Sequence, residues 1–397
     1  VKCPAGLTTN AEAFEGDPRA LAQYLINVAH EVRDILAALG LKSLREARGR
    51  TDLLQLLAHQ NQVGQMDMHR MLAVLPERPI TEPVYLEANF TVDDALLEEI
   101  RPALLDPAST GIEVNYAPRL SNRNKTTGGQ LAIDVERILQ YEMTAETAEA
   151  SPIINIDDRG RRTLKPEALK VRLSGPAGQS FGAFCNAGMV LRLRGTANDG
   201  VGKGQSGGII AVVSPGGGTR ENALIGNFGL FGATGGQLFV EGKAGDRFCV
   251  RNSGATAVIE GVGDFGCEYM TNGAVLNLGS FGYGFCNGMS GGVAYQYDPE
   301  GKLDDFYSRD SVSLTPLSAE DALSGEHRLA ARTMLERHVA HTNSELGRRI
   351  LENWEAEVAH FRYATPLALE DYQNYQHIVA ARSRKDLVDE LAFAMVS

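Results

Sequence analysis

The stretch from Gly242 to Gly292, GKAGDRFCVRNSGATAVIEGVGDFGCEYMTNGAVLNLGSFGYGFCNGMSGG, decides the fold. Glycine-led starts recur in it. Gly242-Lys243-Ala244-Gly245 is the first, Gly261-Val262-Gly263 the second and Gly279-Ser280-Phe281-Gly282 the third. Upstream, Gly226-Asn227-Phe228-Gly229 opens another, and Gly175 and Gly195 open two more. The longer gap from Gly195 to Gly226 holds Ser214-Pro215-Gly216-Gly217-Gly218-Thr219, an inserted loop by its composition. Short strand-like runs lie between the glycines, at 208–213, 237–240, 257–259, 274–278 and 292–297. Apart from that gap the starts recur every roughly 16–20 residues, a period too short for helical repeats or propeller blades. It suits the coils of a parallel β-helix, where each coil covers its neighbour's apolar face and glycine supplies positive φ at tight corners. The expected class is mainly β with flanking α, a right-handed parallel β-helix preceded and followed by helical segments.

The thiols keep the same beat. Cys249, Cys267 and Cys286 follow the starts at Gly242, Gly261 and Gly279 at nearly equal offsets. Stacked coils would set them about 4.8 Å apart, a ladder of small buried side chains. Five cysteines in 397 residues make no disulfide framework, so a cytoplasmic location is expected. Glycine numbers 43, and 31 of these lie between Gly175 and Gly292, so the excess belongs to the coils alone. Fifty acidic against 38 basic residues, a net charge of −12, argue against sequence-independent nucleic-acid binding and against attraction to an anionic membrane. No apolar run approaches the roughly 18 residues of a membrane-spanning helix.

Outside the coils, Asp17-Pro18 opens a helix. Leu21, Tyr24, Leu25, Val28, Val32, Ile35, Leu36 and Leu39 follow at helical spacing, and Gly40 is a stop. The expected reading is an amphipathic helix facing a core. The pattern from Gly49 to about Leu75 is weakly helical; Pro76, Pro79 and Pro83 predict a linker. Helical patterns return at 92–105 and 129–141, and Asp157-Asp158-Arg159-Gly160 reads as a turn. Two motifs hint at chemistry. Gly202-Lys203-Gly204-Gln205-Ser206-Gly207 has dinucleotide-loop spacing, but the strand-like run 209–213 follows where a helix is needed. His338 and His341, with Glu345 a turn on, have metal-ligand spacing; lacking a third histidine nearby, they read as a solvated helix face. No phosphate-binding loop and no hydrolase nucleophile motif is present.

Gly178-Gln179-Ser180-Phe181-Gly182-Ala183-Phe184, Ala197-Asn198-Asp199-Gly200-Val201-Gly202-Lys203-Gly204 and the runs 229–236, 244–248, 250–255, 266–271 and 288–292 occur in one order. Together they resemble the glycine-repeat (GXGXG) C-terminal domain of the glutamate synthase large subunit. Similar segments extend the resemblance to Glu31 through Gly40, Gly49 through Leu54, Ser121 through Leu131 and His338 through Trp354, so that it spans residues 1 to about 366. The tail from Leu367 to Ser397 has no assignment. The organisation implied is 1–54 as the tail of an FMN and iron–sulfur barrel domain with a connecting helix, 55–165 as a mixed α/β lead-in, 166–300 as the β-helix and 301–397 as a C-terminal helical region.

Cys3-Pro4-Ala5-Gly6-Leu7-Thr8-Thr9-Asn10 resembles the end of the family's iron–sulfur motif. The resemblance implies Cys3 as the last of three ligands to a 3Fe–4S cluster, with no catalytic or FMN-binding residue in this chain. In the family, an amidotransferase domain releases ammonia from glutamine, and the ammonia reaches a flavin-bearing barrel through a tunnel. There it forms an imine with 2-oxoglutarate, which reduced FMN converts to glutamate. The chain is then expected to brace the amidotransferase and FMN-barrel domains, without a complete active site of its own. A small pyridine-nucleotide-oxidising subunit is a further implied partner, and the electron donor is left open among NADPH, NADH and ferredoxin. Gly200, Phe265 and Asn272 depart from the family pattern. The alternative is a separately encoded scaffold subunit of another flavin or molybdenum enzyme, of the methylglutamate synthase or formylmethanofuran dehydrogenase type. A third reading, an independent enzyme using His338 and His341 or the thiol column, lacks the three or four convergent ligands a metal site needs.

Overall fold

A computed structural model describes residues 18–55, 67–74, 90–216 and 222–368. They fall into two units, one within 11–88 and one comprising the remainder. Cys3, the proline-rich linker and the tail beyond residue 368 lie outside the described residues.

The first unit carries α1 (Pro18–Ala38) and α2 (Leu44–Ala47). Gly40, with φ of 71°, ends α1 as its sequence predicts: its N–H reaches the Ala37 carbonyl, and Leu41 N–H reaches Leu36. Its apolar stripe differs from expectation. Leu21, Tyr24, Leu25 and Ile35 are 57–63% exposed, so the stripe faces no core among the described residues of its own unit. The periodicity that makes a helix amphipathic does not specify what covers it.

The second unit is a β-solenoid of about six turns. Its seven coil strands are β4 (Leu169–Ala177), β5 (Met189–Ala197), β6 (Ser206–Val213), β7 (Gly235–Val240), β8 (Ser253–Gly261), β9 (Asn272–Ser280) and β10 (Val293–Tyr297). Each pairs in parallel with the next in sequence, and β1 (Ile112–Asn115) pairs in parallel with β4 at one end. At the other end β12 (Phe361–Pro366) runs antiparallel to β10, and β11 (Val312–Pro316) antiparallel to β12. A separate hairpin joins β2 (Ile154–Ile156) to β3 (Arg162–Leu164) across the predicted Asp157 turn.

Strand register decides which side chains become core. Val171, Leu191, Ile210, Leu238, Ala257, Val275 and Ala294 form one inward column. The adjacent outward column runs Arg172, Arg192, Ala211, Phe239, Val258, Leu276 and Tyr295. It turns apolar where the C-terminal helices cover it, α6 (Ala322–Thr342) and α7 (Glu345–Glu352). Hence β4 alternates in burial, whereas later strands such as β8, covered on both faces, are buried over continuous runs. The register also corrects one spacing. Gly226 is equivalent to Gly245, not Gly242, because Asp246 N–H bonds the Asn227 side chain. Equivalent positions from Asn227 to Asp246, Asp264 and Tyr283 are therefore separated by 19, 18 and 19. The coil with the inserted loop is lengthened, with 28 between Asp199 and Asn227. The first glycine of a doublet and the one that closes it look alike in sequence; only pairing tells them apart.

Helices cap the solenoid's first coil. In α3 (Thr91–Leu104), Leu96, Ile100 and Leu104 are buried. The segment predicted as one helix over 129–141 is α4 (Gly129–Arg137) followed by a π-helical turn at 138–142. α5 (Ala145–Ala150) and α8 (Trp354–Glu357) complete the α-helices among the described residues.

Candidate functional site

Each coil leaves its strand through a turn face built on one backbone rule. Three residues at alternate positions carry positive φ: Ser180, Gly182 and Phe184, then Gly200, Gly202 and Gly204, then Phe228, Leu230 and Gly232. The next coils supply Arg247, Cys249 and Arg251, then Phe265, Cys267 and Tyr269, then Gly284, Cys286 and Gly288. All these φ values lie between 45° and 74°. Each triplet makes two overlapping turns. Lys203 N–H donates to Gly200 O and Gln205 N–H to Gly202 O, at 3.1 and 3.0 Å. Glycine favours such left-handed turn positions. Gly200-Val201-Gly202-Lys203-Gly204 is the coil that meets the rule with glycine at all three places.

Elsewhere larger residues are forced into the same conformation at a cost of roughly 1–2 kcal/mol each. The neighbouring coils hold them there. Arg247 N–H bonds Asp264 O of the following coil at 2.7 Å, Cys249 N–H bonds Gly229 O of the preceding coil at 2.8 Å, and Arg251 N–H bonds Glu268 O at 2.9 Å. Alternate N–H groups thus point to alternate neighbours.

A side-chain ladder borders these columns. Asp199 Oδ1 accepts from Asn227 N–H, Asn227 Oδ1 from Asp246 N–H, Asp246 Oδ1 from Asp264 N–H and Asp264 Oδ1 from Tyr283 N–H, at 2.8–2.9 Å. Each oxygen fills the space beside a glycine of the next coil: a Cβ at Gly263 would lie 2.1 Å from Asp246 Oδ1. Rings and glycines alternate in the same way. A Cβ at Gly284 would meet the Phe265 ring at 2.6 Å, and one at Gly200 the Phe228 ring at 2.9 Å. Phe265 and Gly200, singled out by sequence, are therefore halves of ring-on-glycine pairs. Asn272, also singled out by sequence, is exposed at the start of β9, where its side chain accepts from Gly273 N–H.

Inside the face, Cys249, Cys267 and Cys286 occupy one column, all buried as the period predicts, and Cys185 is buried near the first coil. Burial pushes the Cys185 thiol up to about 12, and the Cys249 and Cys286 thiols well above the usual thiol range. Such thiols are protonated and shielded, the opposite of a nucleophile.

The most concentrated buried polar group joins the solenoid to the C-terminal helices. Glu260 leaves the end of β8. Its Oε1 accepts from His338 Nε2 at 3.1 Å on α6 and from Ser344 Oγ, the cap of α7. Ser344 Oγ in turn accepts from Gly347 N–H at 2.9 Å, and Thr342 Oγ1 donates to His338 O at 2.6 Å. His338 and Ser344 are wholly buried. Here the expectation of a solvated histidine pair is overturned. α6 lays Ala331, Met334, Leu335 and His338 against the sheet, so His338 points inward while Glu345 stays exposed. His341 stacks on Phe239 with centroids 4.9 Å apart, and burial holds its pKa below the usual histidine value. Glu241, which accepts from Ser214 N–H, is pushed upward by burial. The serine bonds the carboxylate rather than the imidazole, so the group lacks the relay a hydrolase triad requires.

Among the described residues no group of three or more histidine, cysteine, aspartate or glutamate side chains converges to hold a metal ion. Gly202 through Gly207 leads into β6 rather than a helix, as its sequence suggests. Sequence reading missed Glu260 and Ser344 as partners of His338. Glu260 lies 78 positions away in the chain and Ser344 lies beyond the end of α6, so only the docking of that helix brings them together. No helix among the described residues is long and apolar enough to cross a membrane.

A parallel solenoid whose coils close through paired left-handed turns defines the class, and the chain matches the GXGXG motif family over residues 144–367. The chain belongs to that family. It is homologous to the C-terminal region of glutamate synthase large chains. It is 35% identical over 392 residues to the glutamate synthase [NADPH] large chain of Bacillus subtilis, covering 96% of this chain and 24% of that protein. To the large chain from Azospirillum brasilense it is 36% identical over 376 residues, covering 92% and 23%. To the ferredoxin-dependent glutamate synthase 2 of Arabidopsis thaliana it is 34% identical over 391 residues, covering 95% and 22%. The chain thus spans about a quarter of the length of these relatives.

Proposed function

We propose that the chain is the C-terminal structural region of a glutamate synthase-type oxidoreductase, which makes two glutamates from glutamine and 2-oxoglutarate. In this reading the solenoid braces the amidotransferase and flavin-barrel parts of the enzyme in the cytoplasm, and the FMN and most of the iron–sulfur site belong to those parts. Cys3 is then the last of three cluster thiolates. The observation that carries the reading is the alignment of nearly the whole chain, 96% of it, with the B. subtilis large chain. A stiff support has catalytic value because displacing reacting groups by about 1 Å can cost roughly a hundredfold in rate. The exposed apolar stripe of α1 is assigned to the barrel side of the enzyme.

The mass of the native gene product in cell extract tests this. A product far above 42.8 kDa is expected, carrying the catalytic parts in the same polypeptide. A product at that mass would make the chain a separate scaffold subunit of another oxidoreductase. The isolated chain is expected to show no glutamine-dependent reduction of 2-oxoglutarate, and measured turnover by it alone would sink the structural role.

A further inference from the structure

We propose that the turn face of the solenoid is a docking surface for a protein partner that presents carboxylates among apolar side chains. The partner's existence rests on the preceding reading; its chemistry follows from the face. Across five successive coils one end of the turn face carries Phe184, Arg251 and Tyr269 at the last left-handed position and Lys203 and Phe231 one residue before it, all exposed. The three rings are 49%, 38% and 48% exposed. Lys203 Nζ lies 5.7 Å from the Phe231 centroid, and the Arg251 guanidinium 5.9 Å from the Tyr269 centroid. At a coil rise of about 4.8 Å the rings recur every ~10 Å.

The cations point to the partner's charge. Neither Lys203 nor Arg251 has a carboxylate within ion-pair distance among the described residues, whereas adjacent Arg247 is tied to Glu268 at 2.9 Å. A cation resting on a ring keeps its charge available to an anion. The rings point to apolar contact. Phe184 and Tyr269 stand at φ of 59° and 52°, while the same column holds glycine at Gly204, Gly232 and Gly288. The fold therefore does not need a ring there, and strained bulky residues gather where function retains them. The backbone excludes strand addition, because the N–H groups of the face are spent on bonds between coils. What remains is side-chain recognition by aromatic and arginine anchors, the residues enriched in protein interfaces. A nucleic-acid strand also stacks on rings between cations, but it carries a phosphate at every nucleotide, and Lys203 and Arg251 on five coils would leave most of them unneutralised. The net charge of −12 does not oppose a local acidic contact, since charges beyond a Debye length of about 8 Å are screened.

Hydroxyl-radical footprinting of the native assembly and of the isolated chain, with carbodiimide coupling of amines to carboxylates, tests this. Expected are at least tenfold slower oxidation of Phe184, Phe231 and Tyr269 in the assembly, and Lys203 coupled to an aspartate or glutamate outside residues 1–397. In the native assembly the pair Lys203→Glu and Arg251→Glu should return oxidation of Phe184, Phe231 and Tyr269 to within about twofold of the isolated chain, with circular dichroism unchanged. Equal oxidation of the three rings, with Leu21 and Tyr24 of α1 protected, would overturn the docking face and leave the preceding reading standing. Lys203 coupled to a second copy of this chain would also overturn it, in favour of self-association. A native gene product of 42.8 kDa that purifies from cell extract without any partner overturns both.

Discussion

Asp93 sits in the first turn of α3, yet its carboxylate serves α4: Oδ1 accepts from Gly128 N–H and Leu131 N–H at 2.8 and 2.9 Å. Burial pushes its pKa up to about 6, against the pull of those two bonds. The unfolded value is near 3.9, so the folded chain holds the proton more tightly. The associated stability is complete below about pH 4 and is lost as pH rises through 6, a change of about 2–3 kcal/mol. Asp93→Asn keeps the acceptor and removes the titration. Urea midpoints from pH 4 to 7 should fall with pH in the parent relative to this variant; a parent that gains relative stability with pH would refute the assignment. Gly263 is a second residue-scale case. Gly263→Ala drives a methyl into Asp246 Oδ1 and breaks the bond to Asp264 N–H, with an expected loss of about 2–4 kcal/mol. Asp246→Ala should recover part of that loss in the double variant, measured as a thermodynamic cycle.

At the scale of elements, the corner between α6 and α7 is pinned to β8 by Glu260. Asn343, at φ of 66°, breaks what the sequence reads as one helical region. Ser344 then caps α7 and also donates to the carboxylate. Glu260→Ala leaves His338 Nε2 and Ser344 Oγ buried without an acceptor, and should cost about 3 kcal/mol in urea unfolding. A loss below about 1 kcal/mol, the net worth of a single ordinary hydrogen bond, would mean the corner is held by apolar packing alone. The thiol column makes a second statement at this scale. In native buffer Cys249, Cys267 and Cys286 should react with an aromatic disulfide reagent only after unfolding, and rapid native labelling would contradict their place inside the coils. Element positions were legible where periodicity is strong. The strand runs, the recurring cysteines and the Gly40 stop all stand where the sequence puts them. The fate of helix faces was not legible: the α1 stripe lies exposed, and His338 points inward. A stripe records that something covers a helix, and the identity of the cover is encoded elsewhere in the chain or outside it.

For the molecule as a whole, the solenoid is a stack in which each coil is stabilised by the next. A cut or substitution that unseats one coil should therefore propagate along the stack. The apolar outward column of β7 to β10 and the α6–α7 cover belong to the same device, since uncovering Phe239, Val258, Leu276 and Tyr295 would expose one continuous patch. Deleting residues 317–368 is expected to give an aggregating product, checked by light scattering; a monodisperse truncated solenoid would show that the helices are dispensable.

By itself the sequence determined the coil repeat, the cysteine column and the family, because glycine, strand and cysteine spacings are local signals that recur along the coils. Tertiary structure alone decided that Gly226 matches Gly245, that a glycine column tolerates Phe265, Cys267 and Tyr269, and that Glu260, His338 and Ser344 share one buried polar corner. These depend on hydrogen bonds and close approaches between residues far apart in the chain. No single coil carries that information until its neighbours are stacked against it.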